Sequence, residues 1–374
     1  MMALGVTAAN AQTAPPPSST DELHALESEA SAAMHRGDYE NASALLHRAL
    51  VIDPHSIAVL NNLAIVLSRE GKLEDAVPLY EQALKLHPAD LTTQRNLAIT
   101  YFKLQRYSSA SRLLTKLAQG QPGDFQIVDL CGFTYFALDQ YAEAARYLES
   151  ANHLQPSDLE TLDMLGKSYL RMKNYHALVT VYARIMQINP DSASAHVMMG
   201  TADDQLSKTN DALKEFEAAE KADPTFMGVH SGLGLLYWHL GETDKAEKEF
   251  RTELQRYPND PVSNCFLGQI LLDNSQFEPA KIYFEKSLSA DPVYKEALFG
   301  LGKTELALND AAGALAPLRK AIEVDPQYAE AHYALGTAYR QQGKVADAAR
   351  ERRLAAEIQE MKNNPRRRDA AAPK

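Results

Sequence analysis

Apolar residues recur along this chain in two alternating stripes, and each stripe has the i, i+3, i+4, i+7 spacing of one helical face. A proline follows every second stripe at an unbroken interval of 34 residues. These prolines are Pro54, Pro88, Pro122, Pro156, Pro190, Pro224, Pro258, Pro292 and Pro326. Because proline lacks an amide hydrogen and clashes with the preceding turn, it ends the helix before it. The pattern therefore predicts a chain of helix–turn–helix units.

The proline interval defines a repeat numbering in which proline occupies position 32. Ten repeats then begin at residues 23, 57, 91, 125, 159, 193, 227, 261, 295 and 329. Position 8 is Gly or Ala in all ten, and position 20 is Ala in all except the fifth, which has Leu178. Small residues there let two helices approach closely, and position 24 is large and apolar until Arg352. One unit cannot bury its apolar face alone, so stacked units are expected to form a solenoid.

This period, together with the small residue at position 8, Ala at position 20 and Pro at position 32, resembles the tetratricopeptide repeat family. The resemblance covers all ten units and implies an all-α fold, a right-handed superhelical solenoid of antiparallel helix pairs. Residues 21–362 are assigned to this solenoid, and the last repeat is expected to carry a capping helix. In that family the first helices line a concave groove that binds other polypeptides. The resemblance thus also implies a polypeptide-binding scaffold.

The family's groove is lined by first-helix positions 2, 5, 9, 12 and 13, and asparagine at position 6 can add to it. The candidate binding residues here are Asn62, Arg95, Asn96, Phe102, Lys103, Phe133, Phe136, Arg171 and Trp238. Clustered aromatic residues beside cations are frequent anchors of peptide interfaces. We expect Phe102, Phe133 and Phe136 to form one apolar strip. Arg95 and Lys103 lie on the same side and could hold a ligand carboxylate. The alternative is that aromatic residues at position 12 pack partly against the neighbouring repeat.

One specialised function of the family can be tested on the sequence. Members that bind heat-shock chaperones grip a C-terminal carboxylate with Lys and Asn at positions 5 and 9, Asn at position 6 of the next repeat, and Lys and Arg at positions 2 and 6 of a third. Asn62 and Asn96 occupy position 6, but neither has the basic residues around it. We therefore expect no chaperone carboxylate clamp. The two asparagines are similar to rungs of the asparagine ladder in the O-linked GlcNAc transferase superhelix.

Composition narrows the function classes further. The chain has 38 Lys and Arg against 49 Asp and Glu, a formal net charge of −11, which disfavours nucleic acid because phosphate neutralisation dominates that affinity. No run approaches the roughly 20 apolar residues that span a bilayer, so no transmembrane segment is expected. His196, His230 and His332 lie on separate repeats, and we expect packing residues rather than metal ligands. Since the repeats leave no room for a catalytic domain, no enzyme activity, cofactor or metal is expected.

The two ends of the sequence differ from the repeats. Residues 1–20 carry no charge, and an Ala-Asn-Ala tripeptide ends at Ala11 as in a signal-peptide cleavage site. This segment is interpreted as a truncated export signal, or alternatively as a disordered leader. Residues 363–374 include three consecutive arginines and are expected to form a disordered basic tail. The leading hypothesis is a scaffold in a bacterial periplasm or secreted space; the alternatives are a cytoplasmic adaptor and a substrate-recruiting subunit of an enzyme complex.

Overall fold

A computed structural model describes residues 19–363, and over this range the chain forms twenty α-helices and no β-strand. The predicted all-α class is confirmed. The helices fall into two compact units, one ending at Asn174 and the other beginning at Tyr175. None of the described helices is both long and apolar enough to cross a membrane. Residues 1–18 and 364–374, with most of the predicted leader and tail, lie outside the described residues.

In unit 1 the first and second helices of successive repeats alternate. Their bounds are α1 Ser19–His35, α2 Tyr39–Ile52, α3 Ile57–Arg69, α4 Leu73–Leu86, α5 Leu91–Lys103, α6 Tyr107–Gly120, α7 Phe125–Ala137, α8 Tyr141–Leu154 and α9 Leu159–Arg171. Each first helix packs on the second helix of its own repeat, and that second helix packs on the next first helix. Because these contacts join only neighbours, the described part of unit 1 is a stack of helix pairs.

Unit 2 begins with a second helix and continues in the same alternation. Its bounds are α10 Tyr175–Ile188, α11 Ala193–Gln205, α12 Thr209–Ala222, α13 Val229–His239, α14 Thr243–Arg256, α15 Pro261–Asp273, α16 Phe277–Ala290, α17 Lys295–Ala307, α18 Leu315–Val324, α19 Ala329–Gln341 and α20 Val345–Asn363. Its last helix is the longest, with 19 residues against 14 in α16. Position 32 of this repeat is Glu360 instead of proline, so nothing stops the helix at the usual place.

Most first helices begin at position 1 of their repeat because the residue before it caps them. A side-chain oxygen at position 34 accepts a hydrogen bond from the amide three residues later, which satisfies a donor that the helix itself leaves free. The caps are Ser56, Asp90, Asp124, Asp158, Ser192 and Asp260. A second local signal lies at position 15, between the two helices of a repeat, where φ is positive in all ten repeats. These residues are Gly37, Gly71, Gln105, Asp139, Lys173, Ser207, Gly241, Ser275, Asn309 and Gly343.

The core of each repeat is built around a large side chain at position 24. In nine repeats this residue is at most 2% exposed. These residues are Leu46, Tyr80, Leu114, Leu148, Tyr182, Phe216, Phe250, Phe284 and Leu318. A Cβ added to Gly234, at position 8, would lie 2.5 Å from Cε1 of Phe250, and one added to Gly302 would lie 2.5 Å from Cγ of Leu318. The close helix approach predicted at position 8 is confirmed in those two repeats.

Two helices of unit 2 begin later than their counterparts. In repeat 7 the capping position holds Phe226, Gly228 has a φ of +97°, and α13 begins at Val229. The buried carboxylate of Glu253 takes over the cap, because it accepts hydrogen bonds from the amides of Gly228 (2.8 Å) and Ser231 (3.3 Å).

The other late start is that of α18, which follows a short turn. The Asp310 carboxylate accepts hydrogen bonds from the amides of Ala312 (3.1 Å) and Gly313 (2.8 Å) in this turn. The helix then begins at Leu315, which places Pro317 in its first turn. Proline is tolerated there because the first amides of a helix have no intrahelical acceptor. The late start therefore accommodates a proline that would otherwise lie inside the helix.

Candidate functional site

Most of the candidate residues lie on three first helices of unit 1: α3, α5 and α7. Their spacing places them on one side of each helix, and most of them stay half-buried after the helices have stacked. We call this surface the unit 1 face and define it by Asn62, Ile65, Asn96, Ile99, Phe102, Lys103, Phe133 and Phe136. Within the described chain, the side chains of Asn62 and Asn96 have no hydrogen-bonding partner. Both amides are therefore available to a ligand.

Part of the unit 1 face borders a cavity of about 200 Å³. Asn96, Ile99 and Lys103 line it from α5, and Ile65 and Arg69 line it from α3. Lys103 is exposed and has no carboxylate partner among the described residues. The structure thus brings an amide, aliphatic side chains and cations together, which is a combination suited to a polypeptide segment.

The phenylalanines of the unit 1 face contact rings of the following second helices. Phe102 lies edge-on to Tyr107 with 5.6 Å between ring centroids, and Phe136 lies edge-on to Tyr141 at 5.4 Å. Among the described ring contacts, none joins Phe102, Phe133 and Phe136 to one another. Position 12 aromatics therefore also help to fix the turn between two helices, whereas Phe133, at position 9, has no aromatic neighbour among these contacts.

Arg95 is already engaged by the next repeat. Its guanidinium lies 3.1 Å from one carboxylate oxygen of Asp124 and 3.2 Å from the other, and it donates a hydrogen bond of 2.8 Å to Gln126. Asn61 at the same repeat position accepts a hydrogen bond of 2.7 Å from Thr93. Position 5 in unit 1 therefore ties successive repeats together, and of the two cations expected to hold a ligand carboxylate only Lys103 is unengaged.

Asp129 continues this series with a titratable group. It accepts a hydrogen bond of 2.7 Å from the hydroxyl of Thr161 in the following first helix. Burial raises the pKa of the Asp129 carboxyl to about 6, against the lowering effect of that hydrogen bond, and the negative charges of Asp158 and Glu160 raise it further. One contact between two repeats is thus sensitive to pH close to neutrality.

Arg171 and Trp238 lie away from the unit 1 face. Arg171 is exposed; its guanidinium lies over the Tyr141 ring, 5.1 Å from the centroid, and donates to the hydroxyl at 2.7 Å. Trp238 is half-buried in unit 2 and lies edge-on to Phe266 at 5.6 Å, while Phe266 stacks on Phe250 at 5.5 Å. Trp238 is therefore part of an aromatic cluster between two repeats and shows only part of its ring.

Unit 2 contains a larger cavity of about 730 Å³ near the end of the described chain. We call it the unit 2 cavity. Its walls come from α17, α19 and α20, and its lining comprises Phe299, Lys303, Leu306, Ala329, Glu330, Tyr333, Ala334, Thr337, Arg352, Ala355, Ala356 and Gln359. None of these residues is among the candidates derived from the sequence. The signal that could have indicated them is Arg352, the single polar residue at position 24.

The three histidines at position 4 have partners that sequence analysis missed. Nδ1 of His196, His230 and His332 lies 2.7–2.8 Å from a glutamate oxygen in the second helix of the same repeat. These glutamates are Glu215, Glu249 and Glu351. All three stand at position 23, and glutamate occurs there in no other repeat. No group of acidic, His or Cys side chains in the described chain could hold a metal ion.

Fold and surface together define an all-α repeat protein with part-exposed faces on its first helices. Models described as tetratricopeptide repeat match residues 21–88, 67–132, 197–261 and 262–294, and a model described as TPR repeat matches residues 302–343. The chain belongs to the tetratricopeptide repeat family, as the sequence pattern predicted. Proteins of this family are interaction scaffolds, which supports a general protein-binding role. Among curated proteins none matches the chain.

Several solved structures are similar to parts of the chain. MamA from Desulfovibrio magneticus RS-1, from residue 41 to its end, is 19% identical over 46% of this chain and 97% of that one, with a TM-score of 0.43. A tetratricopeptide repeat protein from Parabacteroides merdae ATCC 43184 is 18% identical over 66% and 97%, with a TM-score of 0.45. Yeast Tom70 is 15% identical over 91% and 93%, with a TM-score of 0.42. At these values the likenesses carry no argument about partners.

Proposed function

We propose that this chain is a non-enzymatic scaffold that binds a segment of another protein on the unit 1 face. The observation that carries the proposal is the half-covered set of Ile99, Phe102 and Phe133 beside the unpaired amides of Asn62 and Asn96. Apolar side chains can anchor a segment, and side-chain amides can pair with the backbone groups of an extended peptide. An aromatic ring buries about 150–250 Å², which at about 25 cal/mol per Å² is worth a few kcal/mol before binding costs.

Phe133→Ala tests this proposal more cleanly than Phe136→Ala, because Phe136 also contacts Tyr141. The partner is first captured from the native host by crosslinking, and its affinity is then measured by calorimetry. Phe133→Ala is expected to weaken binding about tenfold or more, with little change in melting temperature. Glu143→Ala, at an exposed site on α8, is the matched control and should leave affinity unchanged. Unchanged affinity in both Phe133→Ala and Phe102→Ala would contradict the proposal.

The compartment proposed for this scaffold is a bacterial periplasm or secreted space. Support comes from the uncharged leader and the small-residue tripeptide that ends at Ala11. If a signal is removed there, the protein isolated from its host should begin near Gln12, and N-terminal sequencing can measure this. An intact Met1 on a cytoplasmic protein would instead favour the alternative of a cytoplasmic adaptor. Co-purification with a catalytic subunit would favour a substrate-recruiting role.

A further inference from the structure

The last repeat has a cation where every other repeat has a buried apolar side chain. Arg352 occupies position 24, and a Cβ added to Gly336 would lie 3.1 Å from its Cγ, so its aliphatic stem takes the usual place in the core. The guanidinium extends over the Tyr333 ring, 5.4 Å from the centroid. Its Nε is buried and has no hydrogen-bond partner in the described chain. Buried donors are almost always paired, so this one calls for an acceptor from outside.

Arg352 lies in the wall of the unit 2 cavity, and most of the remaining wall is apolar. The largest apolar side chains are Phe299 and Leu306 from α17 and the exposed Tyr333 from α19. The volume of about 730 Å³ falls within the roughly 300–1,000 Å³ range of ligand sites. The cavity can therefore accept several apolar side chains of a ligand at once.

The charges in the cavity wall point to the sign of the ligand. Lys303 is half-buried with its Nζ 5.5 Å from the centroid of Phe299, and no described carboxylate pairs with it. The single carboxylate in the lining, Glu330, is exposed and pairs with neither Lys303 nor Arg352. The cavity thus keeps two unpaired cations in a chain whose net charge is −11. A ligand that supplies carboxylates would pair both.

The form of the ligand follows from what covers the same surface one repeat earlier. Ala321, at position 27 of α18, is fully buried in a cluster with Ala331 of the next first helix, α19. Ala355 has the same position in α20, and Ala356 beside it is exposed, because no described first helix follows α20. The surface that is uncovered here is elsewhere covered by a helix.

We propose that the unit 2 cavity binds an amphipathic helix of a partner protein whose apolar stripe is flanked by carboxylates. The apolar side chains contact Phe299, Leu306 and Tyr333, and the carboxylates pair with Arg352 and Lys303. This site is separate from the unit 1 face, so it goes beyond the proposed function and stands or falls on its own.

The test uses a fluorescein-labelled synthetic peptide of about 18 residues, roughly five helical turns, built from Leu, Ala and Glu with one leucine stripe. Anisotropy titrations with the full chain are expected to show saturable binding, weakened about tenfold by Arg352→Leu and also by Lys303→Met. Arg352→Leu restores the residue found at position 24 of repeats 1, 3, 4 and 9, so the fold should be retained. Lys320→Met, which removes an exposed cation outside the cavity, should leave affinity unchanged.

Two matched peptides define the chemistry. Replacing Glu by Lys, or Leu by Ser, should abolish any binding that depends on Arg352. The proposal is overturned if the native chain shows no saturable binding, if Arg352→Leu binds as tightly, or if the Lys peptide shows the same dependence on Arg352. A concentration-dependent dimer in sedimentation equilibrium that Arg352→Leu abolishes would assign the cavity to a second copy and also overturn it. Phe133→Ala should not change the affinity for this peptide, which separates the two sites.

Discussion

His332 and Glu351 meet inside the last repeat, where both side chains are less than 10% exposed. Nδ1 of His332 lies 2.7 Å from the Glu351 carboxylate and Nε2 lies 3.2 Å from the carbonyl oxygen of Pro326. One ring thus joins both helices of the repeat to the end of the preceding one. The sequence contains the signal for this pair, since glutamate at position 23 occurs only in the repeats with histidine at position 4. A single repeat could not reveal it, because the two positions are far apart along the chain.

We predict that Glu351→Leu lowers the free energy of unfolding of unit 2 by about 1–3 kcal/mol, because the buried His332 loses its acceptor. The double variant His332→Leu with Glu351→Leu creates the combination that repeat 2 has in Leu60 and Leu79. It should recover most of the loss, and a double-mutant cycle in chemical denaturation measures the coupling. A double variant as unstable as the sum of its single variants would show that the two side chains do not act as a pair.

Asp129 leads to a pH-dependent prediction. Its pKa of about 6 in the folded chain is above the roughly 3.9 of an unfolded aspartate, so the folded state binds a proton more readily. The contribution of this group to stability therefore rises as pH falls from about 7 to about 4. Asp129→Asn keeps an acceptor for Thr161 and should raise the free energy of unfolding at pH 7 by about 1 kcal/mol, a value reduced by solvent screening. Melting temperatures of both proteins, measured across this pH range, should converge on acidification; divergence would refute the argument.

At the scale of the helices, local signals account for most boundaries, and the exceptions have local causes. Proline at position 32 and a capping side chain at position 34 define where helices end and begin, and both are legible in the sequence. The start of α13 at Val229 was less accessible, because its cap comes from Glu253 in the next helix. Such a contact depends on how two helices pack and has no signature in the nearby sequence.

The turn at position 15 gives a prediction for a single element. Gln105 has a φ of +57° there, whereas Gly71 has the same left-handed conformation one repeat earlier. Residues with a Cβ are disfavoured in this region, and glycine is not. Gln105→Gly should therefore raise the free energy of unfolding by about 0.5–1 kcal/mol, and Gly71→Ala should lower it by a similar amount. Urea denaturation of both variants checks the signs, and destabilisation by Gln105→Gly would mean that the Gln105 side chain has a role of its own.

At the scale of the whole chain, periodicity predicted the architecture better than the binding surfaces. The repeats define which first-helix positions stay uncovered, and thus Asn96 and Lys103 were identified and share a cavity. Periodicity could not predict that Arg95 is taken by Asp124, because the pairing depends on the stacking of two repeats. It also did not reveal the unit 2 cavity, since a polar residue at position 24 is equally consistent with a solvent-facing cap. Binding features arise where repeats differ, and a shared pattern describes only what they have in common.

The same one-dimensional organisation determines how damage should spread. A Cβ at Gly234 would lie 2.5 Å from Phe250, so Gly234→Val must push α13 and α14 apart, at a cost of about 1–3 kcal/mol. Because the described helices contact mainly their neighbours in sequence, loss of protection should concentrate in α13, α14 and α15. Hydrogen exchange followed by mass spectrometry can map this helix by helix. Gly123→Ala is the matched control, since a Cβ there would meet nothing within 4 Å. Equal loss of protection in every described helix would instead show that the repeats unfold as one cooperative block.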